Sequence, residues 1–368
     1  MTVETHPTPR RRRSRRHATE DGRRALTAGH ALVITLLALV VGCLLDAPGL
    51  HKSAFNQPAG WKRDVALAIT GPLADVSHAL LLDRPRKLLQ DALGRGDEDK
   101  IDTTITFTPP APVTTTAAPT PTASHPTARP LPRTHRAAFS PKHKLRIWVA
   151  GDSLVITPGW AIIRAAGKAR AILPVGGGPD GRVATGLERP DVFNWFTHIT
   201  RQIRKLRPNA IVLEFGGNDD HGYMTGLPKD VSIGDFGTAS WTAEYRRRVA
   251  GLLDTTNRAG VFVVWIGLPI TRDPVQTQRF DTINAIISSE ARKRKGGVEF
   301  VDTYATFASD SGGFAQYLTD ASGRQILVRA PDGVHFELAG GDMIARMVLH
   351  ALNEQFDLTS WRKKTPRT

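Results

Sequence analysis

The chain has 368 residues, 40% of them apolar, with a single cysteine and a formal net charge of +14. One cysteine excludes an internal disulfide framework, so any core must hold together by burial. The charge invites a nucleic-acid partner, yet residues 145–358 carry 24 basic against 23 acidic side chains and the excess lies in 1–24, 103–144 and 359–368, so a basic folded binding face is not expected.

Residues 1–24 form a basic tail containing Arg10–Arg13, Arg15, Arg16, Arg23 and Arg24. Residues 25–45 follow as an apolar run with His30 but no Asp, Glu, Lys or Arg, long enough for a helix across ~30 Å of hydrocarbon. Arginines ahead of such a run stay on the cytoplasmic side, which puts everything after residue 45 outside the cytoplasm. Two rivals to a permanent single-pass anchor remain. A cleaved signal lacks an Ala-x-Ala type site after the run. Val40-Val41-Gly42-Cys43 resembles a bacterial lipobox, with Cys43 as the lipidated residue, but the apolar run continues through Leu44 and Leu45. Arg23-Arg24 is a twin-arginine pair in surroundings that suit an export signal poorly. All these readings leave the later residues on the same side.

Residues 46–102 read as a juxtamembrane segment with helical pieces at Asp64–Ile69 and Leu73–Leu82, interrupted at Gly71-Pro72 and at Pro85. It is either a cap on the body that follows or a stalk along the membrane. Residues 103–143 are a Thr/Pro-rich linker, with 11 Thr and 8 Pro between 103 and 140. Such a composition predicts an extended spacer, open to O-glycosylation, with a reach on the order of 100 Å at ~3.1 Å per residue.

From 144 to 356 short apolar strands alternate with longer amphipathic helices, and 357–368 form a second basic tail. Strands are predicted at Leu145–Ala150, Ala171–Val175, Ala210–Phe215, Val261–Gly267 and Val298–Val301. Helices are predicted around 160–169, 191–206, 241–256, 280–294 and 338–355. Continuous apolar strands suit a parallel sheet covered on both faces, hence a three-layer α/β/α sandwich with its site at the carboxyl ends of the strands.

Three strings fall at those ends or just before the last helix. LRIWVA runs into Gly151-Asp152-Ser153-Leu154, where a strand-to-helix turn presents a serine hydroxyl to the crevice. AIVLEF runs into Gly216-Gly217-Asn218-Asp219, where the Asn218 amide can donate to a developing oxyanion. Asp332-Gly333-Val334-His335 puts a carboxylate and an imidazole three residues apart in a turn, so that Asp332 can hold Nδ1–H while Nε2 faces the serine. Each string alone is a common loop composition, and DGVH alone reads as a capping aspartate beside a surface histidine. Their order and placement supply nucleophile, base, orienting acid and oxyanion donor together.

These strings resemble the SGNH/GDSL hydrolase superfamily, and the likeness covers residues 144–356. It implies a flavodoxin-like fold, Ser153 as nucleophile, His335 as general base, Asp332 as its carboxylate partner, and Asn218 with the Ser153 amide as oxyanion donors. The family's remaining donor, a glycine amide after the second strand, falls on Gly186 by spacing, with Gly176, Gly177, Gly178 and Gly181 as competitors. The juxtamembrane segment, the Thr/Pro spacer and the GLERPDVFNW stretch further resemble membrane-anchored bacterial envelope proteins of this superfamily.

Other residues take the plainer reading. His221 beside Asp219 and Asp220 lacks companion ligands, so no metal is expected, and the Gly176–Gly178 run lacks the Lys-Ser/Thr sequel of a phosphate loop. Glu214 either tunes the site or pairs with an arginine. Trp148, Trp160, Trp195 and Trp265 are core or helix-packing residues, one of them a candidate sugar platform. Arg246–Arg248 and Arg292–Lys295 read as solvated helix ends.

The expected activity is an extracytoplasmic serine esterase, free of metal and organic cofactor, acting on short acyl esters of envelope carbohydrate. The alternatives are an O-acyltransferase with a sugar hydroxyl as acceptor, a lipase, for which no long apolar lid is seen, and a non-catalytic carbohydrate-binding module.

Overall fold

The computed structural model describes residues 27–57, 60–93, 95–96, 98–107, 137–220, 223–227 and 231–362. The tail 1–24, the spacer stretch 108–136, His221 and the terminal residues 363–368 lie outside them.

The first described element is α1 (Ala28–Leu45), which starts at Thr27 and has no buried residue. With a mean hydropathy of 2.4 it is long and apolar enough to cross a membrane, a property that an N-terminal signal sequence shares. Three further helices follow, α2 (Ala47–Phe55), α3 (Trp61–Ala79) and α4 (Arg84–Ala92). The break expected at Gly71-Pro72 is absent, and α3 runs through it with Pro72 inside. Proline removes one helical bond there, but tertiary contacts clamp both sides of it. Thr70 meets the His51 ring at 3.1 Å, and the Ser77 hydroxyl donates to the carbonyl of Leu44 at 2.6 Å. Pro85 does coincide with a boundary, in the first turn of α4, where a missing N–H costs nothing.

This segment packs on the body that follows. Arg189 donates to the carbonyl of Asn56 at 3.1 Å, Arg182 to Glu98 at 3.1 Å, and Asn194 to the carbonyls of Asp102 and Thr104. Residues 103–107, assigned by composition to the spacer, belong to the same packing. Ile105 and Phe107 lie against the core, and Phe107 meets Phe196 edge-on at 5.4 Å over Gly251, where a Cβ would fall 2.4 Å from its ring. Near the other end of the predicted spacer, Ala138 bridges to Asp357. Both flanks of the spacer thus lie on the body, and it does not set a ~100 Å separation between α1 and that body. The composition of 103–143 hid the two apolar side chains whose burial outweighs the loss of chain entropy.

The body is a parallel sheet of β1 (Leu145–Gly151), β2 (Ile172–Pro174), β3 (Asp180–Gly181), β4 (Ala210–Glu214), β5 (Phe262–Ile266) and β6 (Val298–Val301). Its order is β2-β1-β4-β5-β6, with the short β3 also on β1. Between these strands run α5 (Ile156–Lys168), α6 (Trp195–Leu206), α7 (Ala239–Arg258) and α8 (Pro274–Lys293), and α9 (Leu338–Gln355) closes the body. The sheet divides two apolar layers. Ile147, Val149, Val212 and Val264 pack with α5 and α9, while Trp148, Ile211, Leu213 and Trp265 pack with α6, α7 and α8. This is the expected three-layer α/β/α sandwich. An antiparallel hairpin, β7 (Tyr317–Thr319) with β8 (Gln325–Leu327), was not read from the sequence, and neither was β3. Elements of two or three residues carry too little periodicity to register.

Chain direction across the sheet reverses at β1, since β2 lies on one side and β4 on the other. That is the switch point where α/β sheets open a crevice at their carboxyl ends. Register brings the two loops there level, with Gly151 opposite Glu214. A Cβ on Gly151 would fall 2.1 Å from the carbonyl oxygen of Glu214, so only glycine permits this approach.

Candidate active site

Ser153 opens a single 3-10 turn, Ser153–Val155, between β1 and α5. Asp152 fixes that turn and joins it to the neighbouring loop. One carboxylate oxygen accepts the Leu154 amide at 2.9 Å, and the other accepts the amides of Gly216 and Gly217 at 3.1 and 2.9 Å. The GDSL and GGND strings are therefore held together by one buried side chain.

The third string comes from the loop before α9. Asp332 folds it into an Asx-turn by accepting the amides of Val334 and His335 at 2.8 and 3.0 Å. Gly333 supplies the positive φ of 79° that this turn requires. Asp332 does not cap α9, whose N-cap is Glu337. Its free oxygen accepts from His335 Nδ1 at 2.7 Å, and His335 Nε2 lies 2.8 Å from Ser153 Oγ. With the ring proton on Nδ1, the serine hydroxyl donates to Nε2. Partial burial raises the Asp332 carboxyl, but the amides of Val334 and His335 and the ring itself outweigh it and bring it to about 2. Asp332 is thus an anion throughout the neutral range.

Asn218 donates its side-chain amide to the carbonyl of Thr185 at 3.0 Å, which ties it to the loop carrying Gly186. The next residue, Asp219, completes the join by accepting the Leu187 and Glu188 amides at 2.9 Å each and the Tyr245 hydroxyl at 2.9 Å. Gly186 fits because its missing Cβ would fall 2.0 Å from Asp219 Oδ1. Among the described residues the buried Gly186 amide donates to nothing, and neither does that of Ser153. Of the competing glycines, Gly176 and Gly178 stand against Trp148 and Trp160, while Gly181, in β3, pairs with Gly151 and stands against Val155 and Ile156.

Several supports were invisible in the sequence. Arg329 is fully buried and donates to the carbonyls of Ile270, Val334 and His335, holding the histidine turn from beneath. Burial lowers its pKa to about 10, so it remains charged at neutral pH. Arg248 was expected to be solvated but is fully buried, donating to the carbonyls of Leu187, Glu188 and Thr225 behind the Gly186 loop. Arg294 is likewise drawn in, by Asp254 and Glu290. Glu214 is buried, and among the described residues it makes no arginine ion pair and neither of its oxygens has a hydrogen-bond partner. Burial, and then the nearby Asp152, raise its pKa well above the ordinary range. Burial also raises Asp152, to about 7, against the pull of its three amides. Trp148, Trp195 and Trp265 are core residues, whereas Trp160 is 51% exposed. Among the described residues no three His, Cys, Asp or Glu side chains group as a metal site.

On the far side of Thr185 a cavity of about 690 Å³ separates the body from the N-terminal segment. Lys52, Arg86 and Glu98 line it on one side, and Trp148, Asp180 and Thr185 on the other.

A doubly wound α/β body with a Ser-His-Asp hydrogen-bond chain at its switch point is the class that fold and site define. Within that class the chain belongs to DUF459, a family described as of unknown function, whose model matches residues 146–351. A sequence search of curated proteins returns no match. Solved structures similar to this chain include a lipase/acylhydrolase from Enterococcus faecalis, 14% identical, with 58% of this chain and 98% of that one covered and a TM-score of 0.41. A GDSL-like lipase from Bacteroides thetaiotaomicron is 18% identical, with 58% and 90% covered and a TM-score of 0.36. An alpha/beta hydrolase enzyme from the metagenome of Lake Arreo is 18% identical, with 59% and 96% covered and a TM-score of 0.41. None of these scores reaches 0.5, and the chemistry rests on this chain's own geometry.

Proposed function

We propose that the protein is a serine esterase of the SGNH/GDSL type. The observation that carries this reading is the hydrogen-bond chain from Ser153 through His335 to Asp332, with links of 2.8 and 2.7 Å. His335 Nε2 takes the Ser153 proton as Oγ attacks the ester carbonyl. The imidazolium is stabilised by the Asp332 carboxylate and returns the proton to the leaving alkoxide. The tetrahedral oxyanion is met by the unpartnered amides of Ser153 and Gly186 and by the Asn218 side chain, donors fixed before the reaction begins. Water then attacks the acyl-enzyme with His335 again as base.

In this reading α1 is a single membrane span, residues 1–24 are cytoplasmic and the body acts outside. The substrate is an ester of envelope carbohydrate with a short acyl group. What supports it is the proposed placement of the body outside the membrane; the polar cavity beside Thr185 is lined by none of Ser153, Gly186, Asn218 and His335. The test is hydrolysis of a short-chain nitrophenyl ester by the full-length chain in detergent, alongside labelling by a fluorophosphonate. Ser153→Ala is expected to lower the rate at least about a thousandfold and to abolish labelling. Equal rates and equal labelling in the two proteins would remove Ser153 as the nucleophile.

A further inference from the structure

The apolar side chains of α3 and α4 are arranged for a solvent other than water. On α3, Trp61, Val65, Ile69 and Val76 follow each other at spacings of four, four and seven, which gathers them on one face, and Leu80 continues the face past the helix end. All five are exposed, Trp61 by 72%. The opposite face is spent on protein contacts, with Ser77 on the end of α1 and Thr70 on His51 of α2. The same division recurs on α4. Leu88, Leu89 and Leu93 are exposed, while Gln90 is buried and donates to Asp99 on the other side. Two consecutive helices, bent by 86° to one another, thus turn an apolar stripe outwards and a polar one inwards. In a soluble protein such a surface is an aggregation hazard, and large exposed apolar patches mark interaction sites.

We propose that the α3–α4 elbow lies in the outer membrane–water interface, beside the α1 span, and seats the body directly on the lipid surface. Continuity names the occupant. The Ser77 bond ties α3 to Leu44, one residue from the end of a helix that has no buried residue along its whole length. A helix that leaves hydrocarbon at residue 45 delivers the elbow to the headgroup layer. The side chains fit that layer. Trp61 stands at one end of the stripe with the Lys62 ammonium 5.9 Å from its ring, the pairing of aromatic and cation that membrane interfaces favour. Arg84 and Lys87 are exposed beside the leucines of α4, where anionic headgroups would meet them. Asp64 and Asp75 flank the α3 stripe on its other edge and stay in water, which limits insertion to the depth of an interfacial helix. Behind α3 lie α2 and then the body, through Arg189 on Asn56, so the order outward from the lipid is α3, α2, body. The inference rests on the proposed span, and its test separates the two.

The native cysteine is removed as Cys43→Ala, and single cysteines are placed in the full-length chain at Leu36, Ile69, Leu89 and, as a reference on the body, Leu338. All four are exposed, so the fold is not at risk. Each variant carries a polarity-sensitive fluorophore and is reconstituted in phosphatidylcholine–phosphatidylglycerol vesicles. The labels at Ile69 and Leu89 are expected to shift to the blue and to be quenched at least about twofold by spin labels near the headgroup, as for a helix seated ~5–10 Å into the interface. Leu36 responds to deep spin labels and Leu338 to none. Water-like emission at Ile69 and Leu89 with a quenched Leu36 overturns the elbow and leaves the span intact. Water-like emission at Leu36 overturns the span reading itself. A blue shift at Ile69 and Leu89 without lipid quenching assigns the face to a second copy of the chain and overturns the proposal.

Discussion

Asp332 reaches Ser153 through His335 and Asp152 directly precedes it in the chain, and the same side chain is put to opposite electrostatic uses. Asp332 faces solvent and borrows the amides of its own turn, which carries its carboxyl down to about 2. Asp152 also accepts backbone amides, three of them, yet complete burial lifts it to about 7. The difference teaches what each is for. In the proposed triad the Asp332 carboxylate has to be an anion throughout the working range, and the amides of its own turn, with the His335 ring beside them, achieve that. A carboxylate that splices two loops needs only its acceptor oxygens, and its charge state is secondary. Asp219 follows the same rule: it splices the GGND loop to the Gly186 loop, and its pKa is also raised, by burial.

The largest expected effect tests the first half of that contrast. Asp332→Asn keeps the shape of the turn but presents its amide or its carbonyl to the ring with no charge behind it, and it favours the tautomer with the proton on the wrong nitrogen. We expect kcat for a short-chain ester to fall by about 10⁴, with KM nearly unchanged. Because the carboxyl titrates near 2, the wild-type rate should show no acid limb from Asp332 above pH 4, which a pH–rate profile would reveal. A loss below about tenfold would make Asp332 a turn-former only.

A smaller loss is expected on the spliced side. Asn218→Ala removes one of the three proposed oxyanion donors and leaves the amides of Ser153 and Gly186, so kcat is expected to drop by about 10²–10³. The bond to Thr185 is lost as well, but Asp219 still fastens the loop by its two amide contacts. Circular dichroism and thermal melts should therefore change little, and an unfolded variant would show instead that Asn218 is chiefly structural.

The two sides also differ in how far they could be read from the sequence. Asp332 and His335 are three residues apart, and their contact is made within one turn, so the string itself specifies it. Ser153 and Asn218 were legible because continuous apolar strands announce a parallel sheet, and a parallel sheet brings its loops to one end. Gly186 could be reached only through spacing. What marks it, the carboxylate of Asp219 in the place of a Cβ, is a contact across 33 residues of chain. Arg248 and Arg329 were unreadable for a related reason. Burial of a guanidinium depends on carbonyls converging from several loops, and no local pattern distinguishes it from a solvated one. The start of the Thr/Pro spacer lies later than its composition indicates, because Ile105 and Phe107 are outnumbered by their neighbours.

The smallest effect concerns stability and isolates Glu214, which lies under the spliced side without a hydrogen-bond partner. Its pKa is raised well above the ordinary range by burial, and that of Asp152 is raised to about 7. In the unfolded chain both release their protons near pH 4. Between pH 4 and 7 the unfolded state therefore loses protons that the folded state keeps, and stability falls as pH rises. A series of thermal melts should show Tm declining from pH 5 to pH 8. Glu214→Gln is neutral in both states and breaks no bond, so the decline should become shallower and the variant should melt above the wild type at pH 8. Asp332, titrating near 2, contributes with the opposite sign and only below pH 4, outside that window. An unchanged slope in Glu214→Gln would assign the decline to Asp152 and Asp219, and a steeper one would mean that Glu214 is an anion balancing Arg329 in the folded protein.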